Sequence, residues 1–265
     1  MTPTLVRHHP NPDARARARD WAEIQERMLV PLYEAVYERL EVGPATRLLA
    51  LGCGSGLALL MAAGRGVHLT GTDTHAERLA LARERLRQLP DAPGDRARLL
   101  ESGPAETPGC YNLITAFDPI GCTAGDSEAL VAALTAAVPL AERGSAVVLA
   151  GWGPAERCAT SAVLRVAGRL SDTPPAFGRD TLEDVAARAG LKPDGSGRVA
   201  CPFGYADLDS AVRGLLSTGL FDTAARATDP PQVEKELAEA LHRHLRKDGT
   251  VWMPNVFRYM ITRVP

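Results

Sequence analysis

The sequence lacks any run of the roughly 18–20 consecutive apolar residues that a bilayer-crossing helix needs. Its opening stretch, MTPTLVRHHPNPDARARARD, has no apolar core segment of the kind a secretory signal carries, so neither a membrane partner nor export is expected. Lysine is nearly absent, and the formal net charge of −2 leaves no basic surplus. A dedicated nucleic-acid binder would show a basic patch or stripe, so nucleic acid is not an expected partner. Cysteine is sparse and odd in number: Cys53, Cys110, Cys122, Cys158 and Cys201 are scattered, with no C-x-x-C pair. That pattern offers no disulfide framework and no zinc ligand set, and it suits reduced thiols in a cytoplasm. Aromatic residues make up 5% of the chain, and no internal repeat or low-complexity segment breaks it.

What is present is a chain of 265 residues, 45% hydrophobic, enough for one large α/β domain or one domain with a modest insertion. Residues 13–40 carry a helical pattern in which Trp21, Ile24, Met28 and Leu29 recur at helical spacing. Pro31 is expected to break or bend that helix before the stop at Gly43-Pro44. Arg15, Arg17 and Arg19 alternate and do not share a helical face, which predicts a solvated surface.

After Gly43-Pro44 the period changes, and short apolar runs bounded by turn residues take over. RLLALG, VHLTGTD, RARLLES, YNLITAF and SAVVLAGW read as strands buried on both faces, with helical segments between them. Helices are expected at 154–170 and 180–190, a strand near 196–203, two further helical stretches, and a last strand in NVFRYMITRV. Strands alternating with helices predict βαβ units and a parallel sheet.

The chemistry-bearing feature is the turn Leu51-Gly52-Cys53-Gly54-Ser55-Gly56, between the first strand and its helix. Glycine permits a tight turn and close approach of a ligand to main chain. Asp73 follows at the end of the second strand, where a carboxylate can accept from both hydroxyls of a ribose. A dinucleotide site has G-x-G-x-x-G/A, whereas here the spacing is G-x-G-x-G and Leu57 stands at the position that should be small.

RLLALGCGSGLALL, VHLTGTDTHAERLALAR, YNLITAFDPIG and ERGSAVVLAGWGP resemble, in order, the motifs of class I S-adenosylmethionine-dependent methyltransferases. The likeness is greatest to the small-molecule enzymes of bacterial secondary metabolism, and abundant alanine, arginine, glycine and proline fit a high-GC bacterial source. The resemblance implies a Rossmann-like, doubly wound, mostly parallel seven-stranded sheet. It divides the chain into an N-terminal helical cap (1–43), a cofactor-binding core (44–203), a helical lid insertion (204–250) and a final strand (251–265). It implies S-adenosylmethionine as cofactor and S-adenosylhomocysteine as product.

Residue by residue, the resemblance gives Gly52, Cys53 and Gly54 the methionine portion, Asp73 the ribose, and Thr74 the adenine flank. Ala105 and Glu106 would edge the adenine, Phe117 and Asp118 would lie beneath the sulfonium, and Trp21 and Gln25 would close over the cofactor. Two positions depart from the family pattern. Ala50 stands where an acidic residue helps orient the methionine ammonium, and Pro104 stands where an aspartate contacts the adenine. Asp118 and His244 are the candidate proton acceptors, and Tyr205, Phe221 and Trp252 the candidate pocket wall, continued by Phe203, Leu215, Leu216 and Leu220. His242 and His244 lie two apart and do not share a helix face, so no metal pair is expected. The expected activity is methyl transfer to a small, largely apolar, natural-product-like acceptor, by a monomer or homodimer. The alternative, kept open by Ala50, is a non-methylating cyclisation or pericyclic step on the same fold.

Overall fold

A computed structural model of the chain describes residues 12–89, 96–101, 111–121, 125–171 and 181–265. The helical N-terminus is not one smooth helix. Helix α1 (Pro12–Asp20) runs into a π-helical turn over Trp21–Gln25 and a 3₁₀ turn over Glu26–Leu29, then into α2 (Val30–Arg39). Pro31 sits in the first turn of α2, where its missing N–H costs nothing. The irregularity expected at Pro31 therefore falls just before it, since the proline ring excludes the preceding carbonyl from a regular helix.

Strands β1 (Arg47–Leu51), β2 (His68–Thr72), β3 (Ala97–Leu100), β4 (Tyr111–Ile120) and β5 (Ala141–Trp152) pair in parallel in the order β3-β2-β1-β4-β5. Beyond β5 come β6 (Lys192–Ala200), β7 (Phe203–Tyr205), β8 (Val251–Met253) and β9 (Val256–Arg263). Strand β9 inserts antiparallel between β5 and β6 and completes a seven-stranded, mostly parallel sheet. The alternating pattern predicts its parallel strands, and the whole is the doubly wound, Rossmann-like arrangement that the family resemblance implies. The small pair β7-β8 forms a separate ribbon. The sequence pattern merges these residues with the neighbouring strands; Pro202 and Pro254, which lack an N–H for the ladder, separate them.

Both faces of the sheet are covered, which is why β1 reads as unbroken apolar sequence. Leu48 and Ala50 face one core, with Leu59 of α3 (Leu57–Ala63), Leu79 of α4 (Ala76–Arg87) and the N-terminal helices. Leu49 and Leu51 face the other, with Leu134 of α5 (Asp126–Ala137) and Val185 of α7 (Thr181–Arg188). Helix α6 (Thr160–Ser171) and the inserted helices α8 (Leu208–Ser217), α9 (Asp222–Ala227) and α10 (Pro230–Leu241) thicken the first layer. Side-chain caps start two of these: Asp207 accepts from the Ser210 N–H at 2.7 Å, and Asp229 accepts from the Gln232 N–H at 2.8 Å. Among the described residues no helix is long and apolar enough to cross a membrane.

Candidate functional site

The register of the sheet brings the site together. Leu51 pairs with Thr72 and with Ala116, and Thr72 pairs with Leu100, so the carboxyl ends of β1, β2 and β3 stop in line with Ala116 of β4, which runs on to Ile120. The next residue of each is Glu101, Asp73, Gly52 and Phe117, and all four line one cavity of about 410 Å³. The sheet order reverses between β1 and β4, and open α/β sheets bind ligands outside the strand ends at that point.

The glycine turn shapes the cavity floor. Gly54 has φ +58, and a Cβ there would lie 3.0 Å from Oε1 of Glu26 and 3.1 Å from Nε1 of Trp21. Its bareness keeps this corner of the cavity open. Gly56 serves packing instead, because a Cβ on it would meet the Ala82 methyl on α4 at 2.8 Å. Cys53 lines the cavity but is buried, and desolvation first, with Asp73 and Glu26 nearby, drives its thiol far above the ordinary range. It is no nucleophile.

Asp73 is held on both oxygens. Oδ2 accepts from the Gly54 N–H at 2.8 Å, and Oδ1 accepts from the His75 N–H at 2.8 Å with the His75 ring at 3.0 Å. Burial pushes its pKa up, but these hydrogen bonds outweigh burial and the net shift is downward. The carboxylate thus stays ionised and fixed in direction, as an acceptor for hydroxyl groups should be. Thr74 lines the same wall.

The N-terminal helices supply a second carboxylate that sequence reasoning misses. Glu26 is buried, accepts from the Ser55 hydroxyl and from the Leu57 N–H at 3.3 Å, and pairs with Arg85 at 2.8 Å. Burial raises its pKa, while the Ser55 and Arg85 bonds pull it back. Glu26 and Ala50 line the same cavity. Its sequence signal is weak, since one acidic residue in an amphipathic helix ordinarily reads as solvated surface.

A second cavity of about 430 Å³ adjoins the first, and Trp21, Leu29, Gly52 and Asp118 line both. Its wall holds Gln25, Trp152, Phe203, Leu220 and Phe257. Asp118 projects into this junction, open to the cavities yet ringed by protein. Desolvation raises its carboxyl, Arg78 lowers it, and Asp73 raises it further. Arg78, also missed from sequence, stacks 4.2 Å above the Trp21 ring and donates to the Ser217 carbonyl at 2.9 Å. The π-helical turn at Trp21–Gln25 is what turns both side chains inward, and such turns cluster at functional sites.

Of the expected pocket wall, Phe203 and Leu220 line the second cavity, but Tyr205, Leu215, Leu216, Phe221 and Trp252 do not. Tyr205 is buried behind it and donates its hydroxyl to Gln25 at 2.9 Å, acting through that side chain. Phe221 is fully buried in the core beside Leu220. Trp252 alternates with the buried Val251 and Met253 along β8 and so points outward, 39% exposed, under Arg246. His244 ends the 3₁₀ turn His242–His244 and lines neither cavity. Burial, then Arg243, lowers its pKa. Ala105, Glu106 and Pro104 lie outside the described residues. Among the described residues no group of three or more His, Cys, Asp or Glu side chains converges as a metal site would require.

Two buried polar atoms on the first cavity's wall have no hydrogen-bond partner among the described residues: Nε1 of Trp21 and Oγ1 of Thr115. Buried polar groups are rarely left so. With the bare Gly54 and the oriented Asp73, the residues present fit a nucleoside-bearing ligand.

Comparison with known proteins agrees with this geometry. Residues 49–142 match the family model described as a methyltransferase domain. No curated protein matches the sequence at a significant level. Among solved structures, a candidate methyltransferase of Bacillus halodurans C-125 superposes with a TM-score of 0.57 at 12% identity, covering 88% of this chain and 98% of that one. Geranyl diphosphate C-methyltransferase of Streptomyces coelicolor A3(2), in complex with Mg²⁺, geranyl diphosphate and S-adenosyl-L-homocysteine, gives 0.53 at 16% identity, covering 97% and 86%. The 4+2 cyclase SpnF gives 0.54 at 15% identity, covering 88% and 80%. Identities this low establish a shared fold and nothing finer. Residues 49–142 thus match a methyltransferase domain, and the fold around them is one that this chain shares with those methyltransferases and with the cyclase.

Proposed function

We propose that this methyltransferase-domain chain binds S-adenosylmethionine in the first cavity and transfers its methyl group to a small, largely apolar acceptor in the second. The observation that carries this reading is the junction of two cavities at Gly52, Trp21 and Asp118, one lined by Asp73, Glu26 and the glycine turn and the other by Trp152, Phe203 and Phe257. In the first, Asp73 takes the ribose hydroxyls, Thr74 flanks the adenine, and Gly52 to Gly54 present main chain to the methionine portion. Trp21 donates its orphaned N–H to the same ligand. Glu26 supplies the acid that Ala50 withholds, delivered from the N-terminal helices rather than from β1.

The cofactor supplies an electrophilic methyl group on a sulfonium. The chain's part is to hold an acceptor atom in line with it, which accounts for most of the catalysis of such a displacement. Gln25, fixed by Tyr205, and the aromatic wall position the acceptor and exclude water. Asp118 at the junction is the proton acceptor, a role in which His244 has no share from its place outside both cavities. The non-methylating alternative rested on the missing acid at Ala50, and Glu26 on the same cavity wall removes that reason to prefer it.

The test is a turnover assay. Protein incubated with methyl-tritiated S-adenosylmethionine and a library of small apolar acceptors should transfer label to at least one of them, with S-adenosylhomocysteine formed in equal amount. Tight cofactor binding with conversion of an acceptor that gains no label would instead support the cyclase.

A further inference from the structure

The second cavity carries a charge pattern that selects among acceptors. Its described lining includes the carboxylates Asp118 and Asp126 and no lysine, arginine or histidine. The foremost cationic influence on Asp118 is Arg78, which belongs to the first cavity's wall and is engaged with Trp21 and Ser217. The same lining includes three mutually packed rings: Trp152 lies 4.6 Å from Phe257 and 6.0 Å from Phe203, and Phe203 lies 6.0 Å from Phe257.

We propose that the acceptor is an apolar amine, entering as its ammonium, with Asp118 as the carboxylate that receives it. This rests on the methyl-transfer reading and narrows it. A phosphate or carboxylate acceptor would bring a like charge beside Asp118 and Asp126 with no cation on the described lining to pair it, which is unfavourable. A neutral alcohol could donate a hydrogen bond to Asp118 but brings no opposite charge. An ammonium is favoured by the carboxylate and by ring faces alike.

The chemistry balances with no further reagent than a sulfonium methyl donor. The ammonium gives one proton to the Asp118 carboxylate, which becomes a carboxylic acid, and the amine so formed regains its lone pair. That pair forms the N–C bond to the methyl carbon as the C–S bond breaks, and its electrons return to sulfur to give a neutral thioether. The product is the N-methylated ammonium, and Asp118 passes its proton to water on release. The protein around it, which raises the Asp118 carboxyl, makes it a better proton acceptor than an aspartate in bulk water.

Calorimetry on the full chain, saturated with S-adenosylhomocysteine, tests this with four probes that share one apolar tail. They are 4-phenylbutylamine, 4-phenylbutanol, 4-phenylbutyrate and 4-phenylbutyl phosphate. The amine should bind at least tenfold more tightly than the alcohol, with the two anions weaker still, and Asp118→Asn should reduce the amine to the level of the alcohol. An anion binding as tightly as the amine, an Asp118→Asn preference equal to wild type, or no binding by the amine overturns the proposal. Should the variant not fold, the order of the four probes on the wild-type protein decides alone. Failure of S-adenosylhomocysteine itself to bind, measured first, would instead overturn the cofactor reading on which this one stands.

Discussion

At the scale of single residues, the account depends on polar atoms whose directions are fixed before any ligand arrives. Trp21 is the sharpest case, since its indole N–H is buried on the cavity wall with no partner among the described residues. Trp21→Phe keeps a ring beneath Arg78 but removes that donor. It should weaken S-adenosylhomocysteine by about 1 kcal/mol, roughly fivefold, in a binding titration, with little change in melting temperature. Asp73 makes a prediction of a different kind. Its pKa in the folded chain lies below the ordinary 3.8, so its ionised form stabilises the fold above that value, and the contribution disappears as pH falls through the lower folded value. Asp73→Asn should therefore flatten the acid limb of the stability–pH curve below about pH 4 while leaving its slope near neutrality unchanged; an identical acid limb in denaturant titrations would contradict this.

Elements explain what the sequence did and did not disclose. The glycine turn and Asp73 were legible because a strand end, three glycines and an acid one strand later form a local pattern. Phe117 and Asp118 were legible for the same reason, as the end of a strand. Glu26 and Arg78 were not, because each reaches the cavity from a helix through a tertiary contact that leaves no mark on spacing. Trp252 misled because large aromatics usually line interiors, whereas a three-residue strand with Val251 and Met253 buried must turn its middle side chain out. Gly56 shows how an element's packing can mimic a ligand motif. Its φ of +84 and the 2.8 Å approach to Ala82 tie the turn to α4. Gly56→Ala should cost about 1–3 kcal/mol in chemical denaturation, from backbone strain and overpacking together. A loss below about 0.5 kcal/mol would mean that α4 gives way freely there.

At the scale of the whole molecule, the alternation of apolar strands and helices predicts the sheet, because strands buried on both faces leave no ambiguity of period. The insertion of β9 between β5 and β6 and the separate ribbon of β7 and β8 arise from pairings between distant segments and were readable only in part. What the assembled molecule adds is the junction: cap helices, strand ends and inserted helices meet around Trp21, Gly52 and Asp118, so that two chambers of similar volume share one wall. Two chambers that meet at one wall are the arrangement that a group transfer between two bound molecules requires.

Titration of the full chain with S-adenosylhomocysteine in a calorimeter tests that most directly. One molecule should bind per chain, and Asp73→Asn should weaken it by about 1–3 kcal/mol, roughly 5- to 150-fold, through loss of the ribose acceptor. No heat of binding to the wild-type protein, or an affinity that Asp73→Asn leaves unchanged, would contradict the account.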